Sequence, residues 1–104
     1  MIIRMWHGRV EASKSEEYAD FMKEKAVPDY NSVPGLKKLM FLKRLEGDIA
    51  HFLLVTHWES IAAVKQFAGD RPEKAKYYPE DDDFLLEKEE TSALYEVFYE
   101  SKDS

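Results

Sequence analysis

Apolar positions are densest between Ile49 and Ser60, where Ile-Ala-His-Phe-Leu-Leu-Val-Thr-His-Trp-Glu-Ser follows a Gly-Asp turn. The stretch from Ile49 to Trp58 is rich in β-branched and aromatic types and ends just before a Ser able to cap a helix, which predicts a strand. Alternation sends Ile49, His51, Leu53, Val55 and His57 to one side and Ala50, Phe52, Leu54, Thr56 and Trp58 to the other. Neither side is distinctly polar. The strand is therefore expected at the centre of a sheet, with cover on both faces.

The flanking patterns build the rest. Residues 2–10 alternate as a first strand, with Ile3, Met5 and His7 opposed to Ile2, Arg4 and Trp6. Ser13 precedes Glu16 at capping-box spacing, and Tyr18, Phe21, Met22 and Lys25 follow at helical intervals. This predicts a helix from Ser15 to Val27 that Pro28 stops or kinks, with residues 29–32 as a possible continuation at an angle. Val33-Pro34-Gly35 leads to a second strand from Leu36 to Leu45, and the turn Glu46-Gly47-Asp48 joins it to the central one as an antiparallel hairpin. Ser60 caps a short amphipathic helix carrying Ile61, Val64 and Phe67, which Gly69 ends. Residues 70–83 read as irregular chain with short helical turns, docked by Phe84, Leu85 and Leu86. A last strand runs from Ala93 to Tyr99, and the residues after it are expected to fray. The order is βαββαβ: an α+β, ferredoxin-like domain over residues 1–104, with a four-stranded antiparallel sheet and both helices on one face.

Such a fold leaves one sheet face without helices. Either Phe52, Leu54, Trp58 and Trp6 or Ile3, Met5, Leu53 and Val55 would then lie open. At about 1.5–3 kcal/mol per buried large side chain, four of them represent roughly 6–12 kcal/mol, comparable with the net stability of a whole domain. A second copy of the chain is the expected cover, giving a homodimer. Phe52→Glu is expected to break the dimer or the fold if the Phe52 side is the open one.

Composition narrows the partners. The chain has 104 residues, 44% of them hydrophobic, and a net charge of −6 from 21 acids and 15 bases, which argues against a binder of phosphate backbones. Cysteine is absent, so disulfides, thiolate catalysis and zinc–thiolate sites are excluded. The longest aliphatic run, Phe52 to Val55, is far short of a membrane span, and no secretory leader pattern opens the chain. A cytoplasmic protein without nucleic-acid or membrane partners is expected.

The segment Thr56-His57-Trp58-Glu59-Ser60, the helix after it, the run Tyr77-Tyr78-Pro79-Glu80-Asp81-Asp82 and the element order resemble the antibiotic-biosynthesis-monooxygenase-like family of dimeric α+β barrels. The resemblance extends over nearly the whole chain. It implies two sheets packed face to face in a homodimer and a pocket in each protomer between helices and sheet. Members include cofactor-free oxygenases of aromatic polyketides, haem-degrading enzymes, and proteins without known activity. The tryptophan of the polyketide-oxidising members matches Trp58, whereas their asparagine falls at Leu54 and their helix tyrosine near Val64. The Asn, Trp and His of the haem-degrading members fall at His7, Phe67 and Tyr77, so haem chemistry of their kind is not expected.

Candidate chemistry is sparse. His7 is the candidate base and Trp58 a candidate indole donor, with Phe67, Tyr77 and Tyr78 as candidate lining for a small aromatic ligand. Each has a more ordinary alternative: a buried histidine satisfied by a neighbour, a core tryptophan, tyrosines packed with solvated hydroxyls. The three histidines lack metal-ligand spacing, and the acid run Glu80 to Asp83 lacks that of a calcium loop, so no metal or cofactor is expected. The acid run reads as a solvated helix start. Two function classes remain: a cofactor-independent monooxygenase of a small phenolic compound, or a non-catalytic dimeric binding protein. Whether His7 borders an open pocket separates them.

Overall fold

The computed structural model describes residues 1–101. Its elements are β1 (Ile2–Glu11), α1 (Ser15–Asn31), β2 (Leu36–Glu46), β3 (Ile49–Trp58), α2 (Ile61–Ala68) and β4 (Ala93–Glu96), with 3-10 turns at Ala12–Lys14 and Pro79–Asp83. The strands form one antiparallel sheet in the order β2-β3-β1-β4, the ferredoxin-like arrangement. Residues 102–104, part of the tail expected to fray, lie outside the described residues.

β1 and β3 pair with Trp6 opposite Leu54 and Gly8 opposite Phe52. Alternation then puts Arg4, Trp6 and Val10 with Ala50, Phe52, Leu54, Thr56 and Trp58 beneath the helices, and all of them are buried. From α1 come Tyr18, Met22, Ala26 and Tyr30, spaced four residues apart on its buried face. This face explains why α1 runs through Pro28 to Asn31 rather than stopping at Val27. Proline costs an interior helical hydrogen bond, but the extra turn seats Tyr30 against Phe67, ring centroids 4.2 Å apart. α2 begins as its sequence indicates, with the Ala63 N–H donating to the Ser60 hydroxyl at 3.2 Å, and ends at Gly69 with φ 94°.

β4 is shorter than the expected Ala93 to Tyr99. It pairs Ala93–Glu96 with Met5–Ile2, and there β1 begins. Val97 still donates to the Met1 carbonyl at 3.0 Å, while Phe98 and Tyr99 are exposed.

Among the described residues the other sheet face carries no helix. It displays Ile3, Met5 and His7 of β1, His51, Leu53 and Val55 of β3, Met40 and Leu42 of β2, and Tyr95 of β4, in register across the strands. Leu42 and Tyr95 are 43% and 56% exposed. The open side is thus the Leu53 side. Phe52, 3% exposed, faces the helices, so it does not probe a sheet-to-sheet contact.

Residues 70–78 strap the chain back across the ends of α1 and α2. The buried Arg4 guanidinium donates to the carbonyls of Pro72 at 3.2 Å and Lys74 at 2.8 Å. Asp29 accepts from the Tyr78 hydroxyl at 2.6 Å and pairs with the Lys76 ammonium at 2.8 Å. Burial alone would raise the Asp29 pKa, but hydrogen bonds from Lys76 and Tyr78 outweigh it and hold the group below the ordinary 3.8. A carboxylate with a depressed folded-state pKa stabilises the fold above its unfolded value and loses that contribution as pH falls through the folded one.

Two stability predictions follow from this packing. A Cβ at Gly35 would lie 2.3 Å from the Ala63 Cβ, so Gly35→Ala should destabilise by about 1–3 kcal/mol. Adding Ala63→Gly should recover part of that loss in urea denaturation, and strict additivity would contradict the contact. Asp29→Asn should lower the melting temperature at neutral pH, with the gap to the parent narrowing as pH drops below 3.8. A gap independent of pH would contradict the role given to the Asp29 charge.

Candidate functional site

Between α1, Phe67 of α2, the strap and the inner sheet face lies a cavity lined by Trp6, Tyr18, Tyr30, Phe67, Lys76, Tyr78 and Asp81, among others. Its volume is about 10 Å³, room for roughly one water. The space is occupied by the protein's own aromatic rings. Tyr30 stacks on Phe67, the Lys76 ammonium sits 4.3 Å from the Phe67 ring centroid, and the Arg4 guanidinium lies 5.5 Å from it.

The cavity wall contains one buried carboxylate. Asp81, 1% exposed, accepts from the Tyr18 hydroxyl at 2.8 Å and from the Tyr78 backbone N–H at 2.7 Å. Burial raises its pKa above the usual carboxylate value, against the pull of those two hydrogen bonds. Burial, together with the neighbouring Asp81, likewise raises the Tyr18 phenol. The Tyr78 phenol is raised by burial and by its bond to Asp29. Tyr30 is pushed up to about 12 by burial, with the Arg4 guanidinium pulling the other way. Arg4 itself is lowered by desolvation. Among the described residues two donors here are buried with no protein hydrogen-bond partner, Nη1 of Arg4 and Nε1 of Trp6. A buried donor left without a partner costs stability, although the Arg4 group as a whole is held by its two carbonyl contacts.

The residues singled out from the sequence separate into three places. Trp58 and Phe67 lie together on the inner face, ring centroids 5.7 Å apart. Trp58 is fully buried, and its indole N–H donates to the Thr56 hydroxyl at 2.7 Å, which in turn donates to the Arg4 carbonyl at 3.1 Å. Its donor is therefore already engaged. Tyr78 lines the cavity; Tyr77 does not, but packs edge-on to Trp6 at 6.0 Å and donates its hydroxyl to the Glu89 carbonyl at 2.5 Å.

His7 is on the opposite sheet face. The candidate base and the candidate indole donor therefore do not share a pocket: even-numbered residues of β1 turn inward, so Trp6 takes the inner position on the face of Trp58 and His7 the outer one. There His7 meets Glu89 at 2.5 Å and His51 at 3.2 Å, beside a shallow depression of about 420 Å³.

Sequence reasoning passed over Arg4, Tyr30 and Asp81. Arg4 stood out only as a charge within an apolar face. Asp81 carried one local signal, its position three residues after Tyr78 with Pro79 between, which is the spacing of a capping interaction.

No protein-family model and no curated protein sequence matches the chain. Solved structures do. A candidate antibiotic biosynthesis monooxygenase from Bacillus cereus superposes with a TM-score of 0.66 at 15% identity, covering 98% of this chain and 97% of that one. The heme-degrader MhuD from Mycobacterium tuberculosis, with two hemes bound in its active site, gives 0.65 at 19% identity over 98% of this chain and 100% of that one. A NIPSNAP domain protein from Burkholderia xenovorans gives 0.61 at 16% identity, covering 99% and 100%. With near-complete coverage on both sides, the fold of this chain is that of the antibiotic-biosynthesis-monooxygenase-like proteins.

Proposed function

We propose that the chain forms a homodimer through its helix-free sheet face and acts as a cofactor-independent, monooxygenase-like protein on a small electron-rich phenol admitted to the helix-side cavity. The observation that carries the reading is Asp81, a buried carboxylate with a raised pKa set among aromatic rings. A phenol must lose a proton before its anion passes an electron to oxygen, and such a carboxylate is a better base than a solvated one. The Trp6 indole N–H, without a partner in the closed protein, would donate to the phenolate oxygen. In an anthrone-type substrate the oxidised methylene gains one oxygen atom as a carbonyl. Its two hydrogens leave with the other atom as water, so no external reductant is needed.

Entry requires a rearrangement. Tyr78 caps the cavity and is held by Asp29 at 2.6 Å, so opening means releasing that bond and swinging the strap away. Haem does not suit this site. No histidine borders the cavity, and the phenols that do, Tyr18, Tyr30 and Tyr78, are all shifted away from the ionised form an iron would bind.

A second reading has its own support. A cavity with room for about one water favours a non-catalytic dimer whose interior is simply packed. Oxygen uptake with a panel of phenolic and anthrone-type compounds separates the two. Under the enzyme reading Asp81→Asn should lose roughly a hundredfold or more in rate, whereas His7→Gln, across the sheet, should leave turnover unchanged. No uptake with any compound would favour the packed dimer, and parent-like turnover by Asp81→Asn would remove Asp81 as the base. For the assembly, Leu53→Glu should convert dimer to folded monomer in sedimentation, with helical circular dichroism retained. A parent that sediments as a monomer at micromolar concentration would contradict the proposed dimer.

A further inference from the structure

Strand β2 is an edge of the sheet, and its alternation sends Phe41, Lys43 and Leu45 to the helix side, opposite Leu54, Phe52 and Ala50 of β3. Leu45 is 59% exposed there, so the helix layer ends short of this edge. Between α1 and β2 runs a groove of about 210 Å³. Ala19, Met22 and Lys23 of α1 form one wall, at the three- and four-residue spacing of a single helix stripe. Phe41 and Lys43 of β2 and Phe52 of β3 form the other. The surface between them is mostly apolar.

Charge sets this groove apart. The chain carries a net charge of −6, yet each wall of the groove bears a lysine, and among the described residues no acid lines it. Lys23 reaches Asp20 at 3.5 Å, an exposed pair that holds it only weakly. Among the described residues Lys43 meets no carboxylate within ion-pair distance. An apolar trough with a cation on each side complements a molecule that is apolar along its length and anionic at one end. Its chain would lie against Met22, Phe41 and Phe52, and its head group between the two ammoniums. Sites for drug-sized ligands have roughly 300–1,000 Å³; a groove of about 210 Å³ suits a slender chain better than a fused ring system.

We infer that the groove between α1 and β2 binds a medium-chain aliphatic carboxylate, with Lys23 and Lys43 as its charge contacts. The groove lies on the helix side of the sheet, so a second copy over the outer face leaves it accessible. Its lining shares only Met22 with the helix-side cavity, and the inference does not rest on the activity proposed for that cavity.

The test is calorimetric titration of the full chain with octanoate, and with 1-octanol as the uncharged analogue. Expected is one octanoate per chain, bound at least tenfold more tightly than octanol. Affinity for octanoate should fall at least tenfold in Lys23→Glu and in Lys43→Glu. Both lysines are exposed, so these reversals should leave the circular dichroism unchanged. Lys65→Glu, on α2 and outside the groove, should bind like the parent. Ala19→Trp, which fills the groove from α1, should abolish binding. Vesicles of phosphatidylcholine and phosphatidylserine should not carry the chain into the pellet. Absence of octanoate binding at millimolar concentration, equal affinity for octanol, or binding that survives both charge reversals would overturn the inference. Capture by the anionic vesicles without binding of free octanoate would overturn it too, and would assign the two lysines to a membrane surface.

Discussion

Strand β3 is bonded on both edges and bears large apolar side chains towards both layers of the molecule, and most of the structure answers that constraint. On its inner side Ala50, Phe52, Leu54 and Trp58 set the width of the groove that α1 and α2 fill. The spacing of Tyr18, Met22, Ala26 and Tyr30 lays one face of α1 along that groove, and the burial of Tyr30 offsets a proline inside the helix. On the outer side Leu53 and Val55 join Ile3, Met5 and Leu42 in an apolar surface with no helix or strand of the described residues above it. One copy of the chain satisfies half of the strand.

The inner layer also decides what chemistry the fold can host. Between helices and sheet this sequence places Trp6, Tyr30, Phe67 and Tyr78, and their rings leave a cavity of only about 10 Å³. The polar groups that remain are unusually placed: a buried carboxylate at Asp81, a buried guanidinium at Arg4 without an acidic partner, and an indole N–H at Trp6 with no acceptor. Such groups cost stability. In the proposed function that cost is the preparation for a phenolic oxygen. In the packed reading it is a cost that the surrounding core offsets.

Much of this was legible from periodicity, and the exceptions have physical causes. The element order, the hairpin at Gly47 and the Ser60 cap follow from local residue chemistry, which acts within a few positions. Which face of β3 turns inward was not legible, because both are apolar. Polarity even pointed the wrong way: Arg4 marks the covered face, and its guanidinium is satisfied by carbonyls of Pro72 and Lys74, far along the chain. Alternation alone sets His7 opposite Trp6, and so away from Trp58; pairing the two as base and donor follows the family resemblance against that parity. Asp81 looked like one acid in a solvated run. What distinguishes it is a hydrogen bond to Tyr18, in another element. The early end of β4 depends on where β1 starts, which only pairing reveals.

The central claim is that the outer face of the sheet is covered by a second copy, and methionine oxidation tests it residue by residue. Met5 and Met40 lie on that face, Met22 is buried on the inner face of α1, and Met1 is exposed at 46%. Hydroxyl-radical footprinting across a dilution series should show Met5 and Met40 protected at high protein concentration and oxidised on dilution. Met1 should react and Met22 resist throughout. Oxidation of Met40 as fast as Met1 at every concentration would mean that the face is open to solvent, and would contradict the account.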